Sequence, residues 1–216
     1  MQKSACVAAT AVVGLVIVSL SGCCGANRAQ GQPATQPAHA EPLDMDTMMA
    51  NWQKAMTPGP EHAHLAKSVG IWDGKIKMWM APDAPAQESA GTSTFTSIFG
   101  GRYLEMVTKG EVDMGNGKMP LEGRAIYGYD NVLKRFESVW IDNMGTGFMK
   151  AVGQWRADGK GIDWVATMAD PMTGKMMTAR EVETVIDDDH TIFEMYGPGP
   201  DGKEFKTMEI HYTRRK

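Results

Sequence analysis

The chain has 216 residues, with 26 acidic against 22 basic side chains, a formal charge of −4 and three cysteines. No basic patch stands out, which argues against a nucleic-acid partner. The cysteines, Cys6, Cys23 and Cys24, all precede residue 25. The rest of the chain can therefore form neither a disulfide nor a cysteine metal site, and must stand on its core alone.

Residues 1–22 read as an export signal. Lys3 supplies a positive start, and residues 8–20 form an uncharged apolar run too short to cross a hydrocarbon core of about 30 Å. The stretch Leu20-Ser21-Gly22-Cys23 resembles the lipobox of bacterial lipoproteins, in which the chain is cut before the cysteine and that cysteine carries the lipid. The resemblance implies lipidation of Cys23 and attachment to a membrane of the cell envelope. Cys24, standing where an aspartate is associated with inner-membrane retention, favours an outer membrane facing the periplasm where the cell has one.

Three segments are expected: a signal over 1–22, a lipidated cysteine with tether and short amphipathic helix over 23–57, and a β-barrel over 58–216. Residues 26–42 are rich in Ala, Gln, Pro and Gly without apolar periodicity, as in a flexible linker. Met45, Met48, Met49, Trp52 and Met56 then share one face of a helix capped by Asp44 or Asp46. That helix either packs on the domain or serves as a lid or a surface helix on lipid. A second short helix is expected over 60–69, with Pro60 in its first turn and Gly70 as its stop. His62 and His64, two apart, point in different directions there and make no metal pair.

After Gly70 the period becomes two. Trp72, Ile76 and Met78 share a face; so do Leu104, Met106 and Thr108, and likewise Leu121, Ala125, Tyr127 and Tyr129. The pattern repeats in Met149-Ala151-Gly153-Trp155, Ile162-Trp164-Ala166-Met168 and Met208-Ile210-Tyr212. Short connections rich in Gly, Asp, Asn and Pro separate the segments. About ten antiparallel strands with no crossover helix predict an all-β, up-and-down barrel, a sandwich being the lesser alternative. Gly145-Thr146-Gly147 is then a hairpin turn. A phosphate loop needs a helix after it and a Lys-Ser/Thr ending, and neither follows.

Gly70-Ile71-Trp72 after a short helix resembles the Gly-x-Trp opening of calycin barrels such as lipocalins. Gly-Gly-Arg-Tyr-Leu (100–104), Tyr-Gly-Tyr-Asp-Asn (127–131), Trp-Ile-Asp-Asn-Met-Gly-Thr-Gly (140–147) and Asp-Pro-Met-Thr-Gly-Lys (170–175) resemble the bacterial domain of unknown function 1579. So does the stretch 193–205. The resemblance covers about residues 58–215. It implies a calycin-like barrel of about ten strands and no established activity.

The expected interior is rich in methionine and aromatic side chains, with Met80, Phe99, Trp155 and Met176 counted among them. In 176–186 one face collects Met176, Thr178, Arg180, Val182 and Ile186, and the other takes both glutamates. This reading turns Arg180 inward, where a guanidinium needs a partner. The partner is either an internal acid, Asp142 or Glu194, or an anionic ligand. The ligand reading makes the protein a carrier of a small amphipathic acid. Arg180 grips the head group, and Trp140, Tyr127, Met106, Phe193, Met208 and Tyr212 line the pocket. Fatty-acid-binding calycins, by analogy, use interior arginines in this way. A solid structural barrel without ligand is the plain alternative.

No resident cofactor is expected. Haem and copper are the alternatives: barrels of the nitrobindin type bind haem through a histidine near the chain's end, and His211 is so placed. However, its strand pattern turns it toward water. Met48-Met49 with His39 could serve Cu(I). No catalytic constellation is present, so an enzyme is not expected, and Asp187-Asp188-Asp189-His190 reads as a solvated turn rather than a Ca²⁺ site.

Overall fold

A computed structural model describes residues 43–113 and 117–216. The expectations for the signal, for Cys23 and for the tether lie outside the described residues. Residues Leu43–Lys216 form one compact unit.

Two helices, α1 (Met45–Met56) and α2 (Pro60–Ala66), precede ten strands. These are β1 (Gly70–Met78), β2 (Gln87–Ile98), β3 (Tyr103–Asp113), β4 (Lys118–Asp130) and β5 (Arg135–Asp142), then β6 (Met149–Trp155), β7 (Ile162–Ala169), β8 (Met176–Asp187), β9 (His190–Pro198) and β10 (Glu204–Arg214). Every strand pairs antiparallel with its sequence neighbours, and β1 pairs with β10, from Trp72 opposite Arg214 to Met78 opposite Met208. The ring therefore has no free edge, which is how a hairpin meander avoids edge-to-edge aggregation.

Alternation builds the wall. In β7, Ile162, Trp164 and Ala166 are buried while Asp163, Val165 and Thr167 are exposed. Leu104, Phe136, Ala151, Ile162, Trp164, Ala166 and Ala179 join into one core with Leu65 of α2. Large rings lie over glycines on neighbouring strands: a Cβ on Gly153 would meet the Trp164 ring at 2.6 Å, and one on Gly123 the Trp140 ring at 2.1 Å.

Helix α2 plugs one end. His62 is buried against Tyr129, its Nδ1 accepting the Gly59 N–H at 3.0 Å, and desolvation pulls its pKa below the ordinary value. Arg214 secures the plug, donating to the carbonyls of Val69 and Lys67 at 2.6 Å each and stacking 4.1 Å over the Trp72 ring.

Helix α1 starts on the expected cap, the Asp44 carboxylate accepting the Thr47 N–H at 2.8 Å. None of its residues is buried, and the face of Met45, Met48, Met49, Trp52 and Met56 is exposed. The helix is not packed on the barrel. It is tied at its C-terminal end, where the Asn131 side chain donates to the carbonyls of Lys54, Ala55 and Thr57.

Candidate functional site

Strand β8 carries the main correction to the sequence reading. Its inward face is set by register with β7, where Trp164 stands opposite Glu181, Ala166 opposite Ala179 and Met168 opposite Met177. The inward residues are therefore Met177, Ala179, Glu181, Glu183 and Val185, and Arg180 lies on the outer wall. There it donates to Glu204, with its Nη2 2.7 Å from Oε2, and its guanidinium sits 3.9 Å above the Tyr196 ring. Met176 also points outward, and Met80 and Phe99 stand exposed beyond strand ends. Trp155, at the plugged end under His64, is 40% exposed.

The acids proposed as partners for Arg180 have other tasks. The Asp142 carboxylate accepts the Trp140 indole N–H at 2.7 Å and the N–H groups of Met144 and Gly145, which fixes the turn after β5. Glu194 faces outward, accepting the Tyr196 hydroxyl at 3.0 Å and pairing with Lys206. His211 is exposed, with its Nε2 2.7 Å from Glu209. In the 187–190 turn the Asp187 carboxylate takes the Asp189 N–H and the His190 ring. Among the described residues no group of three His, Cys, Asp or Glu side chains could hold a metal ion.

The six other expected lining residues do face the interior. Met106 is buried, while Tyr127, Trp140, Phe193, Met208 and Tyr212 keep part of their accessible surface. Two of them surround what the sequence reading missed, a pair of inward carboxyls. Glu181 is only 4% exposed, and its Oε1 has no hydrogen-bond partner among the described residues. Burial pushes its pKa up to about 7. Burial likewise raises Glu183 to about 7, against the opposing effect of a hydrogen bond from the Trp164 indole. Burial pushes the Tyr127 phenol well up, and Tyr212, Glu181 and Glu183 nearby add to the effect. Burial raises Tyr212 too, against a hydrogen bond with Ser93, whose hydroxyl also lies 2.8 Å from that of Thr108.

Among the described residues, no cation contributes to either glutamate. Arg214, whose strand ends at the plug, is committed to backbone carbonyls. The inner face is therefore acidic and phenolic at mid-depth, with inward methionines on the strands toward the unplugged end. A carboxyl poised near neutrality can accept a hydrogen bond or a cation when ionised and donate a proton when neutral. A cavity of about 260 Å³ lies between Met56, His62, Arg102 and Tyr129, but the ring nitrogen of His62 there is already engaged.

Fold and interior together define a closed ten-stranded antiparallel barrel, plugged at one end, with carboxyls on its inner face. By sequence, the chain belongs to the family described as protein of unknown function (DUF1579), which matches residues 57–214. The crystal structure of Rv2717c from M. tuberculosis is similar at 14% identity and a TM-score of 0.55, over 74% of this chain and 100% of that one. At that identity the likeness shows the fold alone. A redesigned β-barrel is a weaker match, with 15% identity and a TM-score of 0.37, over 70% of this chain and 95% of that one. No curated protein matches the chain.

Proposed function

We propose that this is an envelope lipoprotein, anchored through Cys23, whose barrel takes a small amphipathic molecule bearing an amine or similar hydrogen-bond-donating cation. The observation that carries the reading is the Oε1 of Glu181, 4% exposed and, among the described residues, without a hydrogen-bond partner or a cation acting on it, with Glu183, Tyr127 and Tyr212 nearby. A buried carboxyl without a partner costs stability of about 1–3 kcal/mol, which a complementary guest would offset. An anionic head group, the sequence expectation, loses its anchor because Arg180 is outside and already paired with Glu204.

The inner faces of β9 and β10 support room for a guest. Phe193, Met195, Met208, Ile210 and Tyr212 point inward yet remain partly accessible, and flexible thioethers suit adaptable surfaces. The test is a thermal-shift and native mass-spectrometry panel on the purified chain, comparing alkyl amines with carboxylates of equal length. Amines are expected to bind and raise Tm, and Glu181→Gln and Glu183→Gln to weaken them at least tenfold. Equal binding of carboxylates, or amine binding indifferent to both variants, overturns the reading. The anchor is tested separately by radiolabelled palmitate, whose incorporation should vanish in Cys23→Ala.

A further inference from the structure

The methionines of the barrel are unevenly placed. Apart from Met106, every methionine of the ten strands sits in the half of its strand nearer the unplugged end: Met78, Met119, Met149, Met168, Met176, Met177, Met195 and Met208. The connections at that end add exposed Met80, Met144 and Met172, the last 90% accessible. Packing does not account for these exposed side chains, because they fill no gap. The packed core, in contrast, is built from Phe136, Ile162, Trp164, Leu104 and alanines.

Within this set one row is contiguous. Glu181 stands opposite Met195, Met195 opposite Met208, and Met208 opposite Met78, each pair across one strand boundary on the inner face. A register shift between Lys206 and Met208 brings Met208 against Met195. Cross-strand neighbours hold their Cβ atoms about 4.5–5.5 Å apart, so three long thioethers from adjacent strands can converge on one ion. All three are partly accessible, so an ion can reach them. Thioether sulfur is a soft, neutral ligand that selects Cu(I) and similar ions over the hard cations preferring oxygen. Three neutral ligands leave the charge of a monovalent ion uncompensated in a low-dielectric lumen. The row supplies what is missing, because the Oε1 of Glu181, without a partner, lies beside Met195.

We propose that Met78, Met195 and Met208 form a thioether site for a soft monovalent cation, Cu(I) or Ag(I), with Glu181 as the compensating carboxylate. The site shares Glu181 with the amine reading but rests on different ligands, so the two can fail separately.

The experiment uses the full chain with Cys6, Cys23 and Cys24 replaced by serine, which removes competing thiols. Ag(I) is titrated by calorimetry, and Cu(I) under reductant against a competing chelator. One ion per chain is expected, in a sulfur-dominated shell by X-ray absorption. Met195→Leu with Met208→Leu should lower affinity at least a hundredfold, and Met78→Leu alone at least tenfold. Leucine nearly preserves volume, and circular dichroism verifies folding; if the double variant does not fold, the single Met78→Leu decides. Met48→Leu with Met49→Leu on α1 should change nothing, and Glu183→Gln should weaken amines while leaving silver untouched. Absence of binding, unchanged affinity in the strand variants, or loss confined to the α1 variants overturns the site.

Discussion

Strand β7 and the pair β9–β10 belong to the same ring and obey the same alternation, yet their interiors differ. In β7 burial alternates cleanly, and Ile162, Trp164 and Ala166 are at most 3% exposed. In β9 and β10, Gly197 is the only buried residue, and the inward Phe193, Met195, Met208, Ile210 and Tyr212 all stay partly accessible. The first arc is closed by aromatic rings meeting edge to face, with Phe136 against Tyr129 at 5.0 Å and Trp155 at 5.1 Å. The second is faced by thioethers and carries its charged network on the outside, Lys206 with Glu194 and Glu209, Arg180 with Glu204. One arc is closed to solvent while the other keeps partly accessible inner side chains; the carboxyl pair of β8 lies between them.

Truncation on the packed arc offers the largest contrast. Phe136→Ala, at a fully buried position in the centre of the aromatic cluster, should cost about 3–5 kcal/mol, and Phe193→Ala less than about half as much. Urea denaturation of both variants checks the ranking, and the reverse order would abolish the distinction. Next is Gly161, at φ +151, where an added Cβ would lie 2.0 Å from the Glu183 carbonyl oxygen. Gly161→Ala should cost about 3 kcal/mol or more and displace Glu183, read as lost stability together with lost amine binding.

The carboxyl pair makes the comparison pH-dependent. Glu181 and Glu183, both raised to about 7, bind more protons folded than unfolded between their ordinary values near 4.5 and about 7. Folding is therefore disfavoured progressively as pH rises through that window. Acidifying from pH 8 to 5 should stabilise the barrel by on the order of 2–3 kcal/mol per group. Below about pH 4 the trend reverses, because Asp130 and Asp170, lowered by turn hydrogen bonds, lose their contribution as they protonate. Glu181→Gln should halve the gain between pH 8 and 5, and a wild-type profile flat over that range contradicts the assignment. The smallest effect is expected at Arg180. An exposed ion pair contributes less than about 1 kcal/mol, so Arg180→Ala should barely move Tm and leave amine affinity unchanged.

Much of the fold was legible because period-two patterning and short turns are local signals. Trp72-Ile76-Met78 and Ile162-Trp164-Ala166 each present one unambiguous greasy face, and of the two candidate caps for α1, Asp44 and Asp46, Asp44 is the one used. Strand β8 was not legible, because both of its faces mix apolar and charged residues: Met176, Val182 and Ile186 against Met177, Ala179 and Val185. Two glutamates are more solvent-seeking than one arginine, so the pattern within β8 alone turns the wrong face inward. The deciding fact is the pairing of Glu181 with Trp164, a relation between strands that no window within β8 contains. A register anchored on the neighbouring tryptophan would have shown it. The α1 face is legible as apolar, but the tie that holds the helix end, from Asn131 to the Thr57 carbonyl 74 residues away, is not.

The seam between β1 and β10 joins segments about 140 positions apart, as in the bond from Arg214 to Val69, separated by 145 residues. Pairings so distant in the chain are formed late and slowly. A half-synthesised molecule thus carries the meander as an open curl with two sticky margins and an unfinished lumen. The ring geometry that protects the finished protein leaves its precursor vulnerable.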